Sequence, residues 1–308
     1  MIVLRFTSGL GNQMFQYAFY TYLRKKYPET KVLADTSWYK WNDAHQGFEL
    51  NKLFKRVDNK DFVFEEASEL EAFKCSGVFP QTSEKVRYIN RIVRLFAGKH
   101  FEKQRISETG REDEDVLKEK VDNIDCSKNV YITGYFLKED YYKDNLKELR
   151  KALSFDLHSI GDENDDILKD ISSCSSVSIH VRRGDYLTTG AEQGFLSMPM
   201  EYYKKAVELI ESRVENPRYF LFSDDKEFLE ENFGWLENKR IVTGNDDDKS
   251  YIDMLLMSRC RHNITANSTF SEWAGLLNDN ENAIVVYPKS YISDKDSDIK
   301  HIDGWIRL

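Results

Sequence analysis

The chain has 308 residues, 41% of them hydrophobic and 31% charged, enough for one large domain or two medium ones with sizeable cores. Lysine and arginine total 44 against 53 acids, a net charge of −9. That balance argues against nonspecific nucleic-acid binding, which needs a basic footprint, so any anion site must be a local basic pocket in an acidic body.

The first elements read MIVLRF as a strand, TSGLGNQ as a glycine turn, MFQYAFYTYLRKKY as a helix and KVLAD as a second strand. Phe15, Ala18, Phe19, Tyr22 and Leu23 give the helix one apolar face. Lys25 and Lys26 close it, where they suit the negative end of the dipole. Residues 36–75 are aromatic and irregular, with no clear element. Residues 85–105 hold Lys85, Arg87, Arg91, Arg94, Lys99, Lys103 and Arg105 among Val86, Ile89, Ile92, Val93 and Phe96 at helical spacing. A solvated helix face and a docking face for anionic lipid both fit that pattern. Residues 111–120 are acidic, NVYITGYF (129–136) reads as a strand, and YYKDNLKELRKAL (141–153) as a helix.

GDENDD (161–166) reads as a linker. Beyond it the rhythm is regular. SVSIHV is a strand, and MPMEYYKKAVELIESRV a helix with Pro199 in its first turn. RYFLFSDD and KRIVTG are strands, and SYIDMLLMSRC a helix. HNITAN is a strand, STFSEWAGLL a helix, and AIVVYP a strand stopped by Pro288. Strands alternating with helices imply parallel sheets, with ligands at the strands' carboxyl ends.

Cys75, Cys126, Cys174 and Cys260 lie far apart without zinc spacing, so reduced thiols of a cytosolic protein are expected. No run approaches the ~20 apolar residues of a membrane span, and the N-terminus turns glycine-rich too soon for a signal peptide. The expected location is cytoplasmic, with peripheral inner-membrane contact if the basic segment docks. The sequons at Asn263 and Asn267 then carry no glycan.

Chemistry concentrates at the strand-to-helix junctions. Gly9 and Gly11 permit a tight turn and close ligand approach, although the third glycine of a dinucleotide fingerprint is missing. In SVSIHVRRGDYL, Arg182 and Arg183 end a strand, where a guanidinium can grip a phosphate or pair with a nearby acid. In TANSTFSEWAGLL, Ser268 can cap the helix, and with Thr269 it can hold a phosphate; Trp273 and Leu276 read as core. Asp224 and Asp225 end a third strand and can accept N–H donors from a base or cap a helix. Asp246 and Asp248 form an Asp-x-Asp that fits a divalent cation or a charged loop.

With GLGNQMFQYA, HVRRGDYL and NSTFSEWAGLL in order, the chain resembles the α-1,2-fucosyltransferase family. The resemblance implies an α/β fold of two Rossmann-like domains, the GT-B type, with the donor cleft between them. It implies an N-terminal, mainly acceptor-side domain over 1–160. A GDP-fucose-binding domain would follow over 161–308, its last residues packing back on the first. It implies inverting, metal-independent transfer of L-fucose from GDP-β-L-fucose to the 2-hydroxyl of a terminal β-galactoside in a surface polysaccharide or oligosaccharide.

Carried over by residue, Arg182 grips the diphosphate, with Arg183 its neighbour on the other side of the strand. His180 and Asp224 or Asp225 meet guanine. Ser268, Thr269 and Phe270 form the phosphate-side loop, and Asn12 reaches the donor from the glycine loop. Asp185 and Glu192 are alternative catalytic bases, and Trp38, Tyr39 and Trp41 can stack on acceptor sugars. A metal-dependent glycosyltransferase using Asp246 and Asp248, and a noncatalytic nucleotide-sugar binder, remain the alternatives.

Overall fold

The computed structural model describes residues 1–42, 46–79, 85–93, 105–108, 114–157, 160–187, 197–289 and 302–308. They divide into two compact units, Met1–Ser154 and Phe155–Leu308.

The first unit is built on four parallel strands, β1 (Ile2–Arg5), β2 (Val32–Asp35), β3 (Arg105–Ser107) and β4 (Val130–Thr133), in the order β2-β1-β4-β3. Helix α1 (Leu10–Lys26) returns from β1 to β2 and buries Met14, Phe15, Ala18, Phe19 and Leu23, as its spacing predicts. Tyr22 of the predicted face is half-buried and stacks on Phe19 at 5.9 Å.

The irregular stretch resolves into a 3-10 turn (Ser37–Lys40), α2 (Leu50–Phe54) and α3 (Glu69–Ser76). Its aromatic richness has a packing cause. Phe62 stacks on Tyr17 of α1 at 4.9 Å, and Phe48 and Phe64 close on Phe6. A capping box between Ser68 and Glu71 starts α3, and Gly77 in left-handed backbone ends it.

Helix α4 covers 85–93, so helical spacing predicts the start of the basic segment correctly. Arg105 opens β3 instead, and Arg94, Phe96, Lys99 and Lys103 lie outside the described residues. Helix α5 (Glu114–Asp122) precedes β4, and α6 (Leu146–Ala152) ends the unit. The helix read over 141–153 is shorter than its sequence suggests, because 3-10 turns at Glu139–Tyr141 and Lys143–Asn145 take up the start.

The second unit opens with α7 (Asp162–Ser172), which corrects the linker reading of GDENDD. Asp162, Glu163 and Asp165 lie in its first turn, where acids are favourable toward the positive helix end. Acids signal a helix start as readily as a loop. The unit holds six parallel strands: β5 (Ser175–Val181), β6 (Pro217–Ser223), β7 (Lys239–Ile241), β8 (His262–Ile264), β9 (Val285–Tyr287) and β10 (Ile306–Arg307). Helices α8 (Met200–Glu211), α9 (Lys226–Asn232), α10 (Ser250–Arg259) and α11 (Thr269–Leu277) connect them. Pro199 stands at the N-cap of α8, one residue before its first turn.

The strand order β10-β9-β8-β5-β6-β7 places the site. The chain runs outward from β5 through β6 to β7, then returns to the other side of β5 with β8, β9 and β10. Connections therefore diverge between β5 and β8, and the carboxyl ends of these strands are where such sheets usually take a ligand. The last residues join this sheet, since β10 pairs with β9.

Helix α11 approaches its sheet closely at Gly275. A Cβ there would lie 2.8 Å from the Trp305 ring and 3.2 Å from Val285. Gly275→Ala should therefore lower unfolding free energy by about 1–3 kcal/mol through overpacking. Urea denaturation followed by circular dichroism will show the midpoint fall; an unchanged midpoint would mean that the two elements separate freely.

Candidate functional site

Strand β5 buries Val177, Ile179 and Val181, and the chain leaves the sheet at Arg182. The neighbouring arginines take different partners. Arg182 Nη1 lies 3.0 Å from Asp224 Oδ2, and its guanidinium stands 5.9 Å from the Tyr186 ring centre. Arg183 Nε donates to Asp225 Oδ2 at 3.0 Å, and its guanidinium lies 3.7 Å over the Phe228 ring. The Arg183 amide donates to Asp224 Oδ1 at 2.9 Å.

Asp225 is further fixed as the N-cap of α9, accepting from the Phe228 amide. Its carboxylate thus serves the scaffold at both oxygens, the capping alternative open at sequence level. Asp224 instead orients Arg182, and both side chains remain about a quarter exposed. Gly184 permits this meeting, because a Cβ there would sit 2.9 Å from Asp224 Oδ2.

Beyond β8, Ser268 caps α11 with its Oγ accepting from the Phe270 amide, and Ser271 Oγ accepts from the Ala266 amide. Thr269 and Phe270 form the first turn of α11, whose positive end faces the outlet of β8. Tyr186 Oη donates to the Asn267 carbonyl at 2.8 Å, tying the β5 and β8 outlets together. His180, 4% exposed, lies 5.7 Å from Phe270 between ring centres, the rings tilted by 38°. Burial, then the Arg182 charge, lowers its pKa to about 4 and keeps the ring neutral. Arg182, Asp224, His180, Ser268, Thr269 and Phe270 thus belong to adjoining outlets of one sheet. Together they can take a phosphate and a flat ring.

Asp185 starts the 3-10 turn Asp185–Leu187 beside these groups, whereas Glu192 lies outside the described residues. Asp246 pairs with Lys226 at 2.5 Å, and Asp248 lies in the next 3-10 turn. Among the described residues no three His, Cys, Asp or Glu gather as ligands. Asn263 and Asn267 are buried, and Asn263 Nδ2 donates to Ser178 Oγ and the Met257 carbonyl. Trp273 and Leu276 are core residues, as expected.

The glycine loop of the first unit is held by two fully buried glutamines that the motif reading did not single out. Gln13 donates to the Ser8 and Gly47 carbonyls and accepts from the Glu49 amide. Gln16 accepts from the Thr7 amide and donates to the Gly134 carbonyl. Their sequence signal is two amides on the apolar side of α1, three residues apart. Ser8 adopts left-handed backbone at φ 69° and shares a hydrogen bond with Tyr135 Oη. Asn12 is half-buried in the first turn of α1. Glu49 was also missed: burial pushes its carboxyl up to about 7, partly offset by Lys52 and the Leu10 amide. Tyr39 donates to the Ser8 carbonyl, while Trp38 and Trp41 line a separate cavity.

The model of glycosyl transferase family 11 matches residues 1–308. The chain is 28% identical to the O-antigen biosynthesis glycosyltransferase WbnK of Escherichia coli, over 98% of each chain. It is 30% identical to an α-1,2-colitosyltransferase of Escherichia coli, over 94% of this chain and 91% of that one. A galactoside α-(1,2)-fucosyltransferase 2 of Sus scrofa is 26% identical over 48% of this chain and 45% of its own. Among solved structures, fucosyltransferase NodZ from Bradyrhizobium superposes with TM-score 0.54 at 15% identity, covering 90% of this chain and 91% of that one. That likeness meets the expectation of an α/β fold with the parallel sheets of GT-B fucosyltransferases.

The buried His180 makes stability depend on pH. Its folded pKa lies below the ordinary 6.5, so the unfolded chain binds more protons between about 6.5 and about 4. Stability is full above 6.5 and is lost as pH falls through that window. Between pH 7 and pH 5, His180→Gln should lose about 1–2 kcal/mol less than the parent, measured by urea titration at both values. Parallel losses in the two proteins would place the proton elsewhere.

Proposed function

Because the chain belongs to glycosyl transferase family 11, we propose that it is an inverting, metal-independent α-1,2-fucosyltransferase acting on a terminal β-galactoside. The observation that carries this reading is Arg182, oriented by Asp224, at the strand outlets that also receive the N-terminus of α11. The second unit would be the donor domain and the first the acceptor side.

GDP-β-L-fucose would place its diphosphate at Arg182 and the Ser268–Thr269 turn. His180 and Phe270 would lie along guanine, and Asp224, while holding Arg182 and the Arg183 amide, would share its remaining lone pairs with the guanine N–H groups. As the sugar–oxygen bond breaks, the fucosyl carbon becomes oxocarbenium-like and negative charge grows on the β-phosphate. Donors fixed before that charge appears lower the barrier without reorganising. The 2-hydroxyl of galactose attacks the opposite face, inverting the anomeric carbon, and gives up its proton to a base. Asp185 and Glu192 are the bases proposed from sequence.

A donor of this chemistry is supported by a NodZ structure described as an α-1,6-fucosyltransferase soaked with GDP-fucose, at TM-score 0.52. The colitosyltransferase relative favours a second reading of the donor, GDP-colitose, whose sugar lacks the 3-hydroxyl of fucose. In both readings the same groups hold the diphosphate.

Among the described residues no helix is long and apolar enough to cross a membrane. Helix α4 nevertheless exposes Tyr88, Ile89 and Ile92 beside Lys85, Arg87 and Arg91, which supports peripheral contact with anionic lipid.

Purified protein with GDP-fucose, a β-galactoside panel and EDTA should yield α-1,2-fucosylated product. GDP-colitose replacing GDP-fucose as the preferred donor would select the second reading, and loss on chelation would favour the metal-dependent alternative at Asp246 and Asp248. Donor binding without turnover would favour a noncatalytic binder. Arg182→Ala should cost roughly 100–1000-fold in turnover. Arg183→Ala should cost less in turnover and show more in stability, since its guanidinium is committed to Asp225 and Phe228.

A separate measurement addresses the membrane. Sedimentation with phosphatidylglycerol vesicles should exceed that with phosphatidylcholine and fall when Arg87 and Arg91 become Glu. Equal sedimentation with both lipids removes the docking role.

A further inference from the structure

The four strands of the first unit end in a registered polar row. Arg5 of β1 lies opposite Asp35 of β2 and Thr133 of β4, and Thr133 lies opposite Ser107 of β3. Registered residues share a sheet face, and residues two apart return to it. Tyr131 and Arg105, registered to each other two positions earlier, therefore face the same way. Deeper on this face, Val3, Leu33 and Tyr131 bury against Cys75 of α3. At the carboxyl ends that cover stops, and a cavity of about 430 Å³ opens over the polar row. Its size falls within the ~300–1,000 Å³ of small-molecule sites.

The lining is arranged for a sugar. Trp38 and Trp41 supply aromatic faces, and Trp41 is 49% exposed. Ser37, Asn42, Ser107 and Thr133 supply short polar groups. Asp35 is held from two sides, by Tyr131 Oη at 2.6 Å and by the Ser37 amide at 2.9 Å. Burial and the Asp35 charge push the Tyr131 phenol well above its ordinary pKa, so it remains the donor in that bond. Arg105 donates to the Ser76 carbonyl at 3.0 Å and lies 5.9 Å over the Tyr131 ring. Arg5, half-buried, adds a second guanidinium.

Among the described residues, the ionisable carboxylate and guanidinium groups of the lining are Arg5, Arg105 and Asp35, two positive against one negative. In a chain of net charge −9, this cavity keeps a surplus positive charge. We propose that it seats the acceptor glycan and selects one bearing an anionic oxygen group next to the galactose, a sugar carboxylate or a sugar phosphate. The identification as an acceptor seat rests on the fucosyltransferase reading; the preference for an anionic sugar rests on the cavity itself. Guanidinium groups recognise both anions by charge-assisted hydrogen bonds, while the tryptophans take the apolar face of a ring.

The test is direct binding by calorimetry, without donor. Three probes share a terminal β-galactose: N-acetyllactosamine, galactosyl-β-1,4-glucuronate and N-acetyllactosamine 1-phosphate. At least one anionic probe should bind about 10-fold tighter than the neutral one, the equivalent of about 1.4 kcal/mol. The tighter anion identifies its source. Arg105→Gln, which retains a donor for the Ser76 carbonyl, should bring the three probes level. Trp41→Ala, at a half-exposed position that can be truncated without unfolding, should weaken all three. Equal binding of neutral and anionic probes by the parent, or an anion preference that survives Arg105→Gln together with Arg5→Gln, overturns the inference. GDP-fucose binding is measured on the same samples. Donor binding without anion preference defeats only the glycan proposal, whereas anion preference without donor binding defeats the fucosyltransferase reading and leaves the cavity's selectivity standing.

Discussion

Two arginine–aspartate pairs hold the outlets of β5 and β6 in register, and the second-unit site depends on them. Arg182 meets Asp224, Arg183 meets Asp225, and the Arg183 amide also meets Asp224. The backbone must turn sharply after Val181 for these contacts to form, and Gly184 leaves the room that Asp224 occupies. Each bond alone is modest, because the partners remain partly exposed to water. Their joint effect is positional. Arg183 and Asp225 lock the turn to α9, and Asp224 holds the Arg182 guanidinium beside it.

Much of this arrangement was legible in sequence because its signals are local. The alternation of Val177, Ile179 and Val181 marks β5, and Ser268 before an apolar helix marks the start of α11. Alternating strands and helices gave parallel sheets in two α/β units. The partners of the arginines were not legible, because forty-one residues separate Arg183 from Asp224 and no local rule joins them. The same holds for Gln13 and Gln16, whose bonds to Gly47 and Gly134 cross the first unit. Three-residue β3 and two-residue β10 are too short to show periodicity, and the pairing that makes them strands comes from their neighbours. GDENDD failed differently: its acids suit a helix N-terminus and a linker equally, and tertiary packing of Ile167 and Ile171 decides for the helix.

The aromatic stretch after β2 shows how composition misleads when one segment has two duties. Phe48, Phe62 and Phe64 pack into the core around Phe6 and Tyr17, so most of its rings are structural. Tyr39 belongs with them through its bond to the Ser8 carbonyl, which helps to hold the glycine loop. Trp38 and Trp41 turn instead to the cavity above the polar row. The division follows the 3-10 turn Ser37–Lys40, in which successive side chains leave the backbone in different directions.

Charge balance separates the two sites. At the second-unit strand outlets Arg182, Arg183, Asp224 and Asp225 sum to zero, so net charge there cannot be what draws an anion. The oriented groups there are the N-terminus of α11 and the Arg182 guanidinium. Paired charges of this kind carry little self-repulsion. The first-unit cavity has the opposite design. There, among the described residues, one engaged carboxylate faces two guanidiniums, a surplus of positive charge. The two places thus differ in kind: balanced ion pairs at the strand outlets of the second unit, and an excess of guanidinium groups among the described residues of the first-unit cavity.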